Sequence, residues 1–140
     1  GINNRWPLNG EVDILEFYRV DNVATILANA AWGRGSNGGP VWNTKRLPLF
    51  HFLAKDPDWP KKFHVWRMDW NADSINLYVD DELLNTQLLS TTLNPDGFNP
   101  FQQPHYLLLN LAIGSNGGDP THAKYPIKYE VDYVRYYKKQ

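Results

Sequence analysis

The sequence predicts an all-β protein, because its segments mostly alternate apolar and polar residues with a period of two and few show helical periodicity. Glycine, proline, asparagine or aspartate closes most of these segments, as expected for strands joined by turns. The composition agrees, with 14% aromatic residues, ten glycines and ten prolines in 140 residues. About seven strands suffice for a two-sheet sandwich in a chain of this length.

The first three strands are predicted in the N-terminal half of the chain. Glu11–Tyr18 interleaves acidic residues with aliphatic ones, and Val23–Ala31 is an apolar run that ends at a Trp-Gly pair. Phe63–Trp70 alternates two tryptophans and a methionine with charged residues. Such runs are rich in the residue types that favour a pleated, half-buried surface.

Four further strands complete the prediction. Ser74–Val79 and Glu82–Leu89 form a hairpin, since only two aspartates separate them. Tyr106–Ile113 and Lys128–Tyr137 are the last two strands, and Leu47–Leu53 is either a short helix or an irregular crossover. The long loops at 33–40, 94–104 and 114–126 are of the kind that commonly form functional rims.

Charge and composition exclude several partners and chemistries. Fourteen basic and fifteen acidic residues give a net charge of −1, so no positive field attracts nucleic acid. No stretch approaches the roughly 18 apolar residues of a transmembrane segment. The absence of cysteine excludes disulfides, thiol nucleophiles and cysteine-ligated zinc. The four histidines match no zinc-binding spacing, and we expect a monomer that requires no cofactor.

Three acids within six residues are the most informative feature of the sequence. Glu11, Asp13 and Glu16 lie in one predicted strand, where acidic residues are depleted and like charges on one face repel. In a regular strand Glu11 and Asp13 share a face, whereas Glu16 points to the other. A one-residue β-bulge at Ile14-Leu15 would turn all three acids to the same side.

Aligned carboxylates suit retaining glycoside hydrolysis. That reaction needs two carboxyl groups about 5 to 5.5 Å apart, one as nucleophile and one as general acid and then base. We assign Glu11 as nucleophile, Glu16 as acid/base, and Asp13 as the partner that orients Glu11. A solvated edge strand and a calcium site are the alternatives that this spacing leaves open.

The segment from Trp6 to Phe17, WPLNGEVDILEF, resembles the signature of glycoside hydrolase family 16, in its bulged, laminarinase-like branch. The similarity continues in the blocks FHVWRMDW, INLYVD, FQQPHYLLLNLAIG and YEVDYVRYY, in the family's order. It implies a β-jelly-roll, lectin-like sandwich with a cleft that hydrolyses internal bonds of a β-glucan or β-galactan. Such an enzyme acts outside cells, so an extracellular or periplasmic location is expected.

Two departures from the family pattern matter. Only five residues precede Trp6, whereas family domains carry several strands there. We therefore expect residues 1–140 to be the C-terminal part of the catalytic domain, lacking N-terminal strands. Laminarinase-like members also commonly place a histidine before the tryptophan of the next strand, where this chain has Ala31, which leaves the substrate subclass open.

Further site residues are expected around the acids. The resemblance implies that Trp6 lines the cleft, where its indole can stack on a sugar ring. Trp32, and Trp42 beyond the same glycine-rich loop, are candidates for stacking at the rim. Asn29 and Asn110 are amides within apolar runs that sugar hydroxyls or groups of the catalytic strand could satisfy, and Gln103 is a weaker rim candidate; these candidates have core or structural roles as alternatives.

Asp132 lies in a block where family members often bind a structural calcium, so the resemblance implies a metal role there. Its fellow ligands would come from the N-terminal portion. The function predicted from the whole sequence is a retaining endo-β-glycanase. A lectin-like binding module, an inactive fragment of such an enzyme and a transglycosylase remain the alternatives.

Overall fold

The computed structural model describes residues 1–33, 38–114 and 117–138. The chain divides into two compact units, Gly1–Leu108 and Leu109–Gln140. Six strands form two three-stranded antiparallel sheets in the first unit. The first sheet contains β1 (Glu11–Val20), β2 (Val23–Trp32) and β3 (Val41–Pro48), and the second contains β4 (Trp66–Trp70), β5 (Ser74–Val79) and β6 (Glu82–Leu88). The all-β prediction is confirmed.

Helical structure is minor. A four-residue helix, α1 (Phe50–Leu53), follows β3, and 3-10 turns occupy Trp59–Lys61 and Leu89–Thr91. Across the part of the chain that the structure describes, no helix has the length and apolarity that crossing a membrane requires.

The hydrophobic core lies between the inner faces of the two sheets. Its buried members come from β2, α1, β5, β6 and the segment after β6, and comprise Ile26, Ala28, Ala30, Trp32, Phe52, Ile75, Leu77, Val79, Leu84, Leu89 and Phe101. Asn85 on β6 joins the sheets directly, because its side-chain amide donates to the carbonyls of Ala28 (2.9 Å) and Asn43 (3.2 Å). This packing fixes β2, the central strand of the first sheet.

A tight turn joins β1 to β2. Asp21 and Asn22 both adopt positive φ, at 49° and 64°, which is the backbone of a two-residue hairpin turn that matches the strand twist. Asparagine and aspartate tolerate this conformation better than other non-glycine residues. The turn fixes the register between β1 and β2, and thereby the position of the acids.

Five of the seven predicted strands form, with ends that differ by a few residues. β4 begins at Trp66 rather than Phe63, and the Leu47–Leu53 segment contains the end of β3 followed by helix α1. β3 itself is not predicted by the sequence, because this edge strand is largely exposed and lacks a clear apolar alternation. This segment becomes a strand because its backbone pairs with β2.

The predictions of strands at Tyr106–Ile113 and Lys128–Tyr137 are wrong for this structure. Both segments are outside any strand, and their side chains are mostly exposed. An apolar run or an alternating pattern makes a segment suitable for a sheet. A strand also needs a partner for its backbone hydrogen bonds. Parts of two predicted loops, residues 34–37 and 115–116, lie outside the described residues.

Candidate active site

A one-residue β-bulge interrupts β1 at the predicted place. Asp13 pairs with Asn29 and Glu16 pairs with Leu27, so that Ile14 and Leu15 both stand opposite Ala28. This is the two-against-one pairing of a bulge, and it confirms the sequence prediction. Glu16 consequently returns to the face of the sheet that carries Glu11 and Asp13.

The register of the first sheet defines which residues share the acidic face. Directly paired residues of antiparallel strands point to the same side. The rows across β1, β2 and β3 are Glu11–Ala31–Trp42, Asp13–Asn29–Thr44, and Glu16–Leu27–Arg46. The acids thus border a strip of small or neutral residues on β2, beyond which β3 contributes an aromatic, a hydroxyl and a cationic side chain.

Glu11 accepts hydrogen bonds from two sides. The Trp6 indole Nε1 donates to Glu11 Oε2 over 2.5 Å. Asp13 and Glu11 also share a side-chain hydrogen bond. These two contacts hold the Glu11 carboxyl in one orientation.

Asp13 is placed to supply a proton to that shared bond. Burial, followed by the negative charges of Glu16 and Glu11, raises the pKa of Asp13 from 3.8 to about 8. Its carboxyl therefore keeps its proton at neutral pH and donates it toward Glu11. The hydrogen bond thus joins the two carboxyls on the acidic face.

Both oxygens of Glu16 are engaged. The Tyr18 hydroxyl donates to Glu16 Oε1 over 2.8 Å, and Asn29 Nδ2 donates to Oε2. The same Asn29 nitrogen contacts Asp13 Oδ2 at 3.4 Å. Burial is the main cause that raises the pKa of Glu16, and the bonds from Tyr18 and Asn29 oppose that rise. A half-buried carboxyl with a raised pKa is suited to act as a general acid.

The raised pKa of Asp13 should make stability fall with pH. Between its unfolded value near 4 and its folded value near 8, the folded chain binds a proton that the unfolded chain lacks, so the free energy of unfolding decreases as pH rises. We expect Asp13→Asn to weaken this dependence. Urea unfolding at pH 5 and pH 8 measures the effect.

Asp81→Asn is the control for this measurement, because Asp81 is exposed in the β5–β6 turn. It should leave the pH dependence as in the parent chain. If Asp13→Asn lost as much stability as the parent between pH 5 and pH 8, the protonated state assigned to Asp13 would be incorrect.

Two exposed tryptophans lie beside Glu11. Trp6 is 52% exposed and Trp42 is 44% exposed, with ring centroids 6.5 Å apart and planes inclined by 52°. Trp42 also belongs to the row of Glu11 across the sheet. Together they offer aromatic faces on which a sugar ring can pack.

Trp32 and Gln103 do not occupy the rim positions expected from the sequence. Trp32 is 7% exposed and packs edge-on against Phe101 in the core, which leaves no open face for a sugar. Gln103 is buried, where it accepts from the backbone N–H of Asn3 (2.9 Å) and donates to the carbonyl of Asn9 (3.0 Å). Gln103 therefore holds the segment that precedes Glu11.

Asn110 and Asp132 lie in the second compact unit, where both are exposed and outside any strand. The expectation that Asn110 projects from a concave sheet is therefore wrong. Within residues 1–33, 38–114 and 117–138, no group of three or more histidine, cysteine, aspartate or glutamate residues is arranged to hold a metal. The described residues thus provide no ligand set for a calcium ion at Asp132.

Asn29 donates to Asp13 and Glu16 on β1, so its amide has found the catalytic strand, one of the two kinds of partner expected from the sequence. Tyr18 is a site residue that the sequence analysis missed. Parity indicates its position, because Tyr18 follows Glu16 by two residues and so shares its face of β1.

The chain is similar to proteins of one known family. Residues 3–135 match the family model described as glycosyl hydrolases family 16. The chain is 35% identical to a β-1,3-glucan-binding protein of Penaeus monodon over 130 residues, 81% of this chain and 35% of that protein. It is 32% identical to a glucan endo-1,3-β-glucosidase of Cryptopygus antarcticus over 143 residues, 93% of this chain and 50% of the relative.

A solved structure, LamAcat from Zobellia galactanivorans, is 30% identical and superposes with a TM-score of 0.63. The match covers 86% of this chain and 43% of that one. A LamA structure from the same organism in complex with laminaritriose and laminaritetraose is 28% identical, with a TM-score of 0.61, over 85% of this chain and 43% of that one. The chain thus spans half or less of the length of these relatives.

Proposed function

Because the chain belongs to glycosyl hydrolase family 16, we propose that the acidic face of β1 hydrolyses internal bonds of a β-glucan with retention of configuration. The observation that carries this proposal is the bulge at Ile14-Leu15, which aligns Glu11, Asp13 and Glu16. Two carboxyl groups on one face, in different environments, are what a double displacement requires.

In the first step Glu11 attacks the anomeric carbon, while Glu16 transfers its proton to the departing glycosidic oxygen. Asp13 donates a hydrogen bond to Glu11 and orients it for attack. In the second step Glu16, now a carboxylate, removes a proton from water. That water releases the sugar from Glu11, and the product has the starting configuration.

A β-1,3-glucan or a mixed β-1,3/1,4-glucan is the substrate class that the named relatives favour, and a β-galactan is the alternative. The endo-glucosidase relative and the laminari-oligosaccharide complex support the glucan. Since such polymers occur outside cells, we propose an extracellular or periplasmic site of action.

A non-catalytic glucan-binding module is the second candidate, because the relative from Penaeus monodon is named as a binding protein. The hydrogen-bonded acids favour the enzyme, since a binding module does not need three aligned carboxylates. Incubation with laminari-oligosaccharides decides between the two. An enzyme releases new reducing ends, initially as the β-anomer by NMR, whereas a binding module binds without cleavage.

Trp42→Ala should weaken oligosaccharide binding about 10-fold, the effect of losing one stacked aromatic ring. Calorimetric titration into an inactive Glu11→Gln background measures this without turnover. Phe63→Ala is the control, because Phe63 is exposed outside the acidic face. Equal affinity of the Trp42 variant and the control would exclude Trp42 from the binding surface.

A further inference from the structure

We propose that Tyr18 is a positioning residue for Glu16, one that holds its carboxyl and sets the pH at which it exchanges its proton. This inference deepens the proposed function, and it rests on the acid/base role assigned there to Glu16. Tyr18 does not contact the reacting sugar in this account; it acts through the carboxyl that does.

The Tyr18 hydroxyl lies within hydrogen-bond distance of the Glu16 carboxyl. Tyr18 lies two residues after Glu16 on β1, past the bulge, so both side chains project from the same face. The Tyr18 hydroxyl donates to Glu16 Oε1 over 2.8 Å. Asn29, on the neighbouring strand, donates to the other oxygen, Oε2. The carboxyl is therefore held from its own strand and from β2, and its two oxygens have different partners.

Both hydrogen-bond partners of Glu16 act as donors. Burial, with the hydrogen bond to Glu16 as the next cause, raises the pKa of Tyr18 to about 12, so its hydroxyl remains a donor across the working range of pH. Asn29 is 3% exposed and its Nδ2 can only donate. Two fixed donors stabilise the carboxylate form of Glu16 against the burial that favours the acid form.

This balance suits a group that must act in both directions. Glu16 has to be protonated when the glycosidic bond breaks and ionised when water attacks. Burial alone would favour only the first state. The Tyr18 hydroxyl counteracts burial and keeps the carboxyl in one orientation for both transfers.

The charged groups around Glu16 do not supply the hydrogen bond that the Tyr18 hydroxyl donates to it. On β1 they are Glu11 and Asp13, which are acidic, and the Gly1 ammonium interacts with Glu11. β2 presents Leu27 and Asn29 beside Glu16, and neither is charged. On β3 the register places Arg46 in the row of Glu16, beyond Leu27. β4, which also packs against β1, carries its charged residues Arg67 and Asp69 on the side opposite its core-facing tryptophans and methionine.

Tyr18→Phe tests the proposal, since it removes only the hydroxyl and keeps the ring. Without that donor the pKa of Glu16 rises, so the basic limb of the kcat/KM profile should move to higher pH. We expect kcat to fall about 10-fold, as for one lost hydrogen bond to a charged group, with KM unchanged. Tyr78→Phe on β5 is the matched control and should behave as the parent.

A direct titration separates this proposal from the proposed function. The δ-carbon signal of Glu16 in 13C-glutamate-labelled chain, assigned with Glu16→Gln, reports its pKa without any substrate. A higher pKa in Tyr18→Phe supports the positioning role. An unchanged or lower pKa overturns it, whatever the activity. If the parent chain released no reducing ends from laminari-oligosaccharides, the proposed function would fail, and the titration would still decide the Tyr18 contact.

Discussion

Glu11→Gln should leave the fold intact and reduce hydrolysis about 10⁴-fold or more, the scale of loss when the nucleophile of a covalent mechanism is removed. The amide oxygen can still accept from the Trp6 indole, so the surrounding contacts persist. It cannot, however, form the ester with the anomeric carbon. Reducing-end release from laminarin, beside the unfolding temperature, measures both parts of this expectation.

The matched control is Glu130→Gln, because Glu130 is exposed in the second compact unit. It makes the same chemical change and should hydrolyse laminarin at the parent rate. Retention of parent activity by Glu11→Gln would remove Glu11 from the mechanism.

Glu16→Ala should slow hydrolysis of laminarin about 10²- to 10⁴-fold, the usual contribution of a general acid and base. An aryl glycoside with a good leaving group should be affected less in the first step, because its departure needs little proton donation. Azide should then restore turnover, since this anion attacks without a base. The expected product is the β-glycosyl azide, which NMR identifies.

The same azide experiment on a Glu11 variant gives a contrasting result. With the nucleophile shortened to alanine, azide takes the place of Glu11 and attacks the substrate once, so the product has inverted, α configuration. An α-azide from Glu16→Ala, or no rescue by azide with the aryl substrate, would contradict the roles assigned to the two acids.

The arrangement of the three acids could be predicted from the sequence, because it depends only on the spacing of neighbouring residues. The spacing of Glu11, Asp13 and Glu16 conflicts with the period of a strand, and a bulge is the smallest irregularity that resolves the conflict. The pairing of Asp13 with Asn29 and of Glu16 with Leu27 confirms it. Side chains alternate between the two faces of a strand, so the position of Tyr18 beside Glu16 could also have been predicted.

Parity could also have corrected the expectation for Trp32. It shares the face of Ile26 and Ala28 on β2, and that face is buried in the core. The expectation for Gln103 could not have been corrected in this way. Its partners are backbone groups of Asn3 and Asn9, which lie 100 and 94 residues earlier in the sequence, and no local pattern encodes such contacts.

The C-terminal strand predictions failed for a related reason. Tyr106–Ile113 is an apolar run and Lys128–Tyr137 alternates apolar and polar residues, but neither pattern supplies a pairing partner. β3 shows the converse, since Val41–Pro48 has a weak pattern and becomes a strand through its ladder with β2. Whether each of these segments forms a strand thus depends on pairing with a distant part of the chain.

The central claim is that the bulge places Glu11, the nucleophile, and Glu16, the proton donor, on the same face of β1. Trapping the covalent intermediate tests this most directly. The chain is incubated with a 2-deoxy-2-fluoro-laminaribiosyl fluoride, digested with protease, and mapped by mass spectrometry. We expect one added disaccharide on the peptide that contains Glu11, attached at that residue. Attachment at Asp13 or Glu16, or an unlabelled chain that nevertheless hydrolyses laminarin, would contradict it.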